Sequence, residues 1–484
     1  MKKIVTGIVI LMLCMLMGMS AMAYENEIVE VYLDGEIVEF DVKPQIIGGR
    51  TMVPLRAVFE KMGATVEWDD PTRTVTAVKG DTTVVSTIGS NVMYINGVES
   101  QMDVAPILLD TRTLAPARFV AEAFGGKVLW SDKKRQAYIF STEGSDENDI
   151  KMAEYRIYLE SIAYPSYELL DGTKPGFVGR WFEKEIDGVN HTVTLSDGST
   201  FYFMTDGADY FDVNFTVITT GKTPFFAYSI DGSDPVRQLI TSPTVALPDN
   251  GIHTVCIWAD GMYEREGKWD NEKGFALKDV TVNAGTLFGV KPQNKVIAYY
   301  GDSITEGIRA LNMNADSDGN SATNSYPYFC SKMLGTVTHS VGYGASGIIA
   351  VGSFNTFYNA ISNISRDVSE IEGFVPDVIV INHGYNDKKY SDKQFREKLI
   401  EALDLLTTKY PEAPVFYAIP FAQRKAAVIR EVCAAYGNIT VIETEGWPIT
   451  FMDGVHPDSA GAKVAGENIA KAIKEKLGEN FFKI

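Results

Sequence analysis

Residues 299–307 read Tyr299-Tyr300-Gly301-Asp302-Ser303-Ile304-Thr305-Glu306-Gly307. An apolar run from Val296 ends there in a glycine, and a serine follows two residues later. This is a strand handing over to a helix. The serine oxygen is expected at the open end of a sheet, where a helix's first turn offers backbone N–H groups to an anion. Outward from this point strands alternate with helices. Strands are expected at 296–300, 338–341, 378–382, 415–419 and 440–443, with helices around 327–334, 393–410, 422–436 and 460–477. That rhythm predicts a parallel sheet covered on both faces, a three-layer α/β domain over 290–484. Ligands of such sheets bind beyond the carboxyl ends of the strands, so the chemistry is expected just after each apolar run.

Three further polar clusters stand at those places: Gly342-Tyr343-Gly344-Ala345-Ser346-Gly347, Gly384-Tyr385-Asn386-Asp387 and Asp453-Gly454-Val455-His456-Pro457. A serine is a weak nucleophile until a base takes its proton. The chain has five histidines, and His456, with Asp453 three residues away, is the best equipped for that task. Asp453 can orient the imidazole and stabilise it when charged. Asn386 can donate to a developing oxyanion, and glycines let a backbone N–H come close to a ligand. His383 is a candidate substrate or supporting contact, together with Tyr385 and Asp302.

Taken in order, the four clusters resemble the SGNH (GDSL-type) hydrolase superfamily over about 190 residues. The resemblance implies a flavodoxin-like fold, with Ser303 as nucleophile, His456 as base and Asp453 as its partner. It also implies an oxyanion hole from the N–H groups of Ser303 and Gly347 and the amide of Asn386, with Gly344 close to the glycine position. It calls for no metal or cofactor.

Ahead of this domain, 146–289 is expected to be all-β. Alternating runs at 200–204, 211–218, 225–230 and 253–258 are separated by Asp-Gly pairs at 197–198, 206–207, 231–232 and 260–261. Short strands with regular turn signals predict a β-sandwich or jelly roll. Trp258 and Trp269 are sugar platforms or, more often for such residues, core. His191 and His253 read as structural. The strands with Ser229-Ile230-Asp231-Gly232 and Gly251-Ile252-His253-Thr254-Val255, running into the Gly301–Gly307 stretch, resemble jelly-roll-plus-SGNH carbohydrate acetylesterases (carbohydrate esterase family two). That resemblance implies removal of acetyl groups from a polysaccharide, with the polar loop 312–324 in the acceptor site. That family tends to place its Asp nearer the His, so the spacing here departs from it. A lipid or aryl esterase and a non-catalytic envelope-binding protein are the competing readings.

Residues 24–145 repeat at an offset of 62. Tyr32-Leu33-Asp34-Gly35 returns as Tyr94-Ile95-Asn96-Gly97, and Arg50-Thr51-Met52-Val53-Pro54-Leu55-Arg56 as Arg112-Thr113-Leu114-Ala115-Pro116-Ala117-Arg118. Gly63, Trp68 and Asp70 return as Gly125, Trp130 and Asp132. A constant offset means two copies of one α+β unit sharing a core. Each copy should hold a hairpin at its Asp-Gly or Asn-Gly pair, a short helix (55–62 and 117–124) and a Trp-bearing strand. The repeat resembles the copper amine oxidase N-terminal domain, which implies envelope attachment or a spacer; a purely structural role is as well supported. Residues 24–145 hold no His and no Cys, the ligands copper favours, so no copper site is expected.

Lys2 and Lys3 precede a charge-free run over 4–23 that ends Ala21-Met22-Ala23, the pattern of a secretory signal peptide at 1–23. The run is also long enough to span a bilayer if uncleaved. Export to the medium or cell surface is expected. With Lys+Arg 44 against Asp+Glu 63 the chain carries a net charge of −19, which repels phosphate backbones and argues against nucleic acid. Cys256, Cys330 and Cys433 lack disulfide or metal spacing and read as small buried hydrophobes.

Overall fold

Continuous apolar runs can be strands only where both faces are covered. Val378–Asn382 and Val415–Ala418 are buried at every position in the computed structural model, which describes residues 29–162, 166–353, 355–369 and 374–483. With Val296–Gly301, Val337–Gly342 and Ile439–Ile442 they form one parallel sheet. Numbering these strands β1–β5 in chain order, the spatial order is β2-β1-β3-β4-β5, the flavodoxin-like arrangement. Helices Tyr326–Leu334 and Ser459–Leu477 cover one face through Cys330, Leu334, Ile469 and Ile473. Helices Asp392–Lys409 and Ala426–Cys433 cover the other through Phe395, Leu399, Ile429 and Val432. The expected α/β alternation is met. One helix starts four residues late, at Ala426, because Gln423 and Lys425 before it adopt left-handed backbone.

The sandwich consists of two antiparallel sheets. Phe201, Phe203, Phe226, Val255 and Ile257 of one meet Phe211, Val213, Phe275 and Leu277 of the other in a shared core. The hairpin Trp181–Ile186/Val189–Thr194 was not anticipated, although Asp187-Gly188, both at positive φ, is the hairpin signal. Asp260-Gly261 is no turn. It ends the long strand His253–Gly261, and Asp260 is fully buried.

The chain divides into two compact units, Met1–Ser161 and Ile162–Ile484. The first ends with helix Glu147–Ser161, expected to belong to the all-β region. Ion pairs Lys127–Glu154 (2.6 Å) and Lys134–Glu160 (2.5 Å) fasten it to the repeat instead. The signal segment at 1–23 lies outside the described residues. Within the first unit the copies exchange parts. Glu30–Leu33 of copy one pairs in parallel with Gln136–Phe140, and hairpin Val92–Ile95/Val98–Gln101 of copy two joins the sheet of Thr65–Asp69 and Thr74–Lys79. One core takes Val53, Val58 and Phe59 from one copy and Ala115, Val120 and Phe124 from the other.

Sandwich and α/β domain form the second unit because their contact is buried and polar. Lys268, fully buried, lies against Glu306 Oε1 and 3.5 Å from Asp197 Oδ2. Burial opposes its charge, but the two carboxylates keep it protonated. Arg180, also fully buried, donates to the Tyr343 hydroxyl and to the carbonyls of Asn363 and Ala360. Asp260 accepts from Ser321, from Arg237 and from the N–H of Thr323 (2.8 Å), and Asn320 donates to Met262 O at 2.8 Å. These bonds revise the expected role of loop 312–324: its second half is a buried seam to the sandwich rather than an acceptor surface.

Removing one partner of a buried ion pair costs about 3–5 kcal/mol, because the other charge stays behind unpaired. Lys268→Met should therefore lower stability by an amount of that order in chemical denaturation followed by tryptophan fluorescence. Replacing Asp197 and Glu306 by Asn and Gln in the same chain should restore much of it. An unchanged midpoint for Lys268→Met would show that the cluster does not hold the unit together.

Candidate active site

β1 ends at Gly301, and Asp302 is the N-cap of the four-residue helix Ser303–Glu306. The Asp302 carboxylate accepts from Ile304 N–H at 3.0 Å, which holds the turn that carries the serine. Gly307 ends the helix at φ 81°, and a Cβ there would lie 2.1 Å from Ser321 O, so no other residue fits. Ser303 Oγ lies 2.8 Å from His456 Nε2, although 153 residues separate them. The other ring nitrogen, Nδ1, lies 2.9 Å from Asp453 Oδ2. The imidazole thus donates from Nδ1 to the carboxylate and presents the Nε2 lone pair to the serine. The three residues expected to converge do so.

The turn that bears the pair is closed on itself. Asp453 Oδ1 accepts the N–H groups of Val455 (3.0 Å) and His456 (2.8 Å), and Met452 N–H donates to His456 O at 2.8 Å. Burial raises the Asp453 pKa, but these bonds and the imidazole outweigh it and hold the carboxyl well below the usual range. Asp453 is therefore a fixed anion. Arg309, missed in the sequence, donates from Nη1 to Asp453 Oδ2 at 2.6 Å and from Nε to Met313 O at 3.1 Å. An arginine six residues past the nucleophile carries no recognisable spacing.

The oxyanion donors are arranged differently from expectation. Ser303 N–H belongs to the first turn of its helix, whose donors have no intrahelical partner. Gly347 N–H donates to Ala350 O at 2.9 Å, so it could meet an oxyanion only by giving up that bond. Its neighbourhood is organised by Asp387, whose carboxylate takes the N–H groups of Ile348 (2.9 Å), Ile349 (2.8 Å) and Ala350 (2.8 Å). Fully buried Asp387 stands in the third polar cluster but had no assigned task. Asn386 Nδ2 donates to Asp302 Oδ2 at 3.0 Å and to Ser346 O at 2.8 Å.

Of the expected substrate contacts, Asp302 has both carboxylate oxygens engaged by the protein. It is a positioning group. His383 is buried against Phe357, with ring centroids 5.1 Å apart, and burial pushes its pKa down to about 3, so it is a neutral core residue and no substrate contact. Tyr385 is half-buried beneath the Arg424 guanidinium. Trp269 is core, edge-on to Tyr343, and Trp258 lines a separate cavity of about 260 Å³ with Tyr202 and Tyr328. His191 bonds Val189 O and Thr216, as a structural residue would. His253 is also structural, but not for lack of a carboxylate. Asp231 lies 2.7 Å from Nδ1 and, despite burial, raises its pKa.

Residues 299–464 match the GDSL-like Lipase/Acylhydrolase family model, and residues 32–139 match that of the copper amine oxidase N-terminal domain. No curated protein sequence matches the chain. Among solved structures, the fold resembles an acetyl xylan esterase (Est2A) from the rumen bacterium Butyrivibrio proteoclasticus, with TM-score 0.53 and 15% identity over 66% of this chain and 99% of that one. It also resembles family two carbohydrate esterases from Clostridium thermocellum (0.51, 16%, 63% and 99%) and Cellvibrio japonicus (0.51, 16%, 66% and 98%). The chain carries a GDSL-like lipase/acylhydrolase domain preceded by a copper amine oxidase N-terminal domain, the latter without His or Cys to hold copper.

Proposed function

We propose that this chain is an exported serine esterase that removes O-acetyl groups from carbohydrate. The observation that carries the catalytic part is the unbroken path Ser303 Oγ–His456 Nε2, His456 Nδ1–Asp453 Oδ2, at 2.8 and 2.9 Å. Ser303 Oγ attacks the acetyl carbonyl while its proton passes to His456 Nε2. Asp453, held ionised, stabilises the imidazolium that forms. The tetrahedral oxyanion takes the Ser303 N–H and one N–H of Asn386, which exchanges the Ser346 carbonyl for the stronger acceptor. His456 returns its proton to the leaving sugar oxygen. Water, deprotonated by the same imidazole, then releases acetate.

The carbohydrate part is supported by the structural neighbours, one described as an acetyl xylan esterase, and export by the run at 4–23. A lipid ester would call for a long apolar trough, and the buried seam of loop 312–324 leaves only its first half, around exposed Met313, free to form a lip.

Ser303→Ala should abolish release of p-nitrophenol from the acetyl ester with the fold intact by circular dichroism. Asp453→Asn should reduce kcat by a factor of about 10²–10⁴, as loss of the orienting carboxylate does in other serine triads. Acetate release from acetylated xylan or mannan, with little hydrolysis of octanoyl esters, is the expected substrate profile; the reverse preference would remove the carbohydrate reading.

Asp302 adds a pH dependence. Burial, with help from Glu306 and Asp387, pushes its carboxyl up to about 7, while Ile304 N–H opposes. The folded state then binds a proton that the unfolded chain, with a carboxyl near 4, has already lost. From about pH 4 to 7 this group costs stability as pH rises. In Asp302→Asn that loss should be absent, so it should appear between about pH 4 and 7 in the difference between wild-type and variant stability. The variant should also lower kcat, because Asn386 loses the carboxyl oxygen that anchors it.

A further inference from the structure

Arg309 belongs to none of the four polar clusters, yet its guanidinium reaches the fourth. It lies just past the Ser303–Glu306 helix in left-handed backbone (φ 57°), which a residue with a side chain adopts only where its surroundings hold it. They do so here. Its N–H donates to Asn320 Oδ1 at 2.9 Å. Asn320, fully buried, donates in turn to Met262 O of the sandwich at 2.8 Å and to Ala315 O at 3.0 Å. Nε is spent on Met313 O at 3.1 Å, and Nη1 meets Asp453.

That contact fills Asp453. A carboxylate offers about four lone-pair positions. Oδ1 takes the N–H groups of Val455 and His456, while Oδ2 takes His456 Nδ1 at 2.9 Å and Arg309 Nη1 at 2.6 Å. The arginine occupies the last free position, and it sets a permanent positive charge on the oxygen that the imidazole uses. Two nitrogens bonded to one oxygen lie within the ~4–6 Å over which one charge moves another group's proton equilibrium. A carboxylate there favours the imidazolium; a guanidinium disfavours it. With the two side chains 29% and 15% exposed, water screens this opposition only in part.

The other ionisable groups on the elements that meet at the imidazole are committed elsewhere. Asp458 caps helix Ser459–Leu477, Asp302 and Asp387 hold backbone N–H groups, Glu306 holds Lys268, and His383 is neutral core. Among the described residues, Arg309 is the one arginine or lysine bonded to Asp453. Building on the esterase reading, we propose that Arg309 is a positioning residue acting through Asp453. It holds the carboxylate against His456 and keeps the imidazole unprotonated, and so able to take the Ser303 proton, at a lower pH than Asp453 alone would allow.

Two readouts test this, and one needs no activity. The His456 ring is followed by NMR as pH is varied, its signals assigned by their loss in His456→Gln. In Arg309→Gln the titration midpoint should rise by about one pH unit. In Arg309→Lys, which keeps the charge, it should move by less than half as much. The acid limb of kcat/KM for p-nitrophenyl acetate should move with the midpoint, whereas a residue that only braced the fold would lower the plateau and leave the limb in place. Arg309→Met keeps the packed stem and repeats the charge removal if the Gln variant does not fold. Asp302 is common to all variants, so its own titration cancels in the comparison. A midpoint unmoved by loss of the guanidinium, or moved equally by Arg309→Lys, would overturn the proposal. A wild-type chain that hydrolyses no ester would overturn the esterase reading instead, and the NMR titration would still decide whether the guanidinium governs the imidazole.

Discussion

Lys268, Glu306 and Asp197 meet where no water reaches, and the geometry of the turn that carries Ser303 depends on that meeting. Glu306 is the last residue of the helix that begins with Ser303, and Lys268 comes from the sandwich. A charge that cannot be solvated must stay with its partner, so the sandwich is tied to the Ser303–Glu306 helix. Arg180 and Asp260 repeat the device at two other points of the same contact. Apolar faces can slide; buried charges with directed hydrogen bonds cannot, and this registers the two folds against each other. The sandwich thus helps to position the Ser303–Glu306 helix.

The site follows the same pattern on a smaller scale. The side chains gathered there rest on carboxylates that are each held fixed by several donors. Asp302 caps the helix that begins with Ser303 and anchors Asn386. Asp387 gathers three successive N–H groups of the loop beyond Gly347. Asp453 takes two backbone N–H groups, the imidazole and Arg309. A carboxylate accepts several bonds at once, so three such residues can set the positions of loops that have little regular structure.

In the first unit, symmetry takes the place of a buried charge network. The copies exchange hairpins, so neither closes its core alone, and Val53 pairs with Ala115, its own counterpart, on a local two-fold axis.

The sequence alone sufficed for whatever depends on local pattern. The apolar runs at 296–300 and 378–382, the Asp-Gly and Asn-Gly hairpins of the repeat and the Asp453–His456 spacing are each contained within a few residues, where periodicity and turn chemistry act. Ser303, His456 and Asp453 could be named because their clusters fall at strand ends. What only tertiary structure decided concerns partners distant in the chain. Nothing near Asp260 shows that it will be buried against Thr323, nothing near Arg309 that it will reach Asp453, and nothing near Gly347 that Ala350 will claim its N–H. A side chain's charge and hydrogen-bonding capacity are local properties, but its burial and its partner are set by segments that arrive from elsewhere, and those two quantities decide whether a polar group works at a surface, in a core or in a reaction.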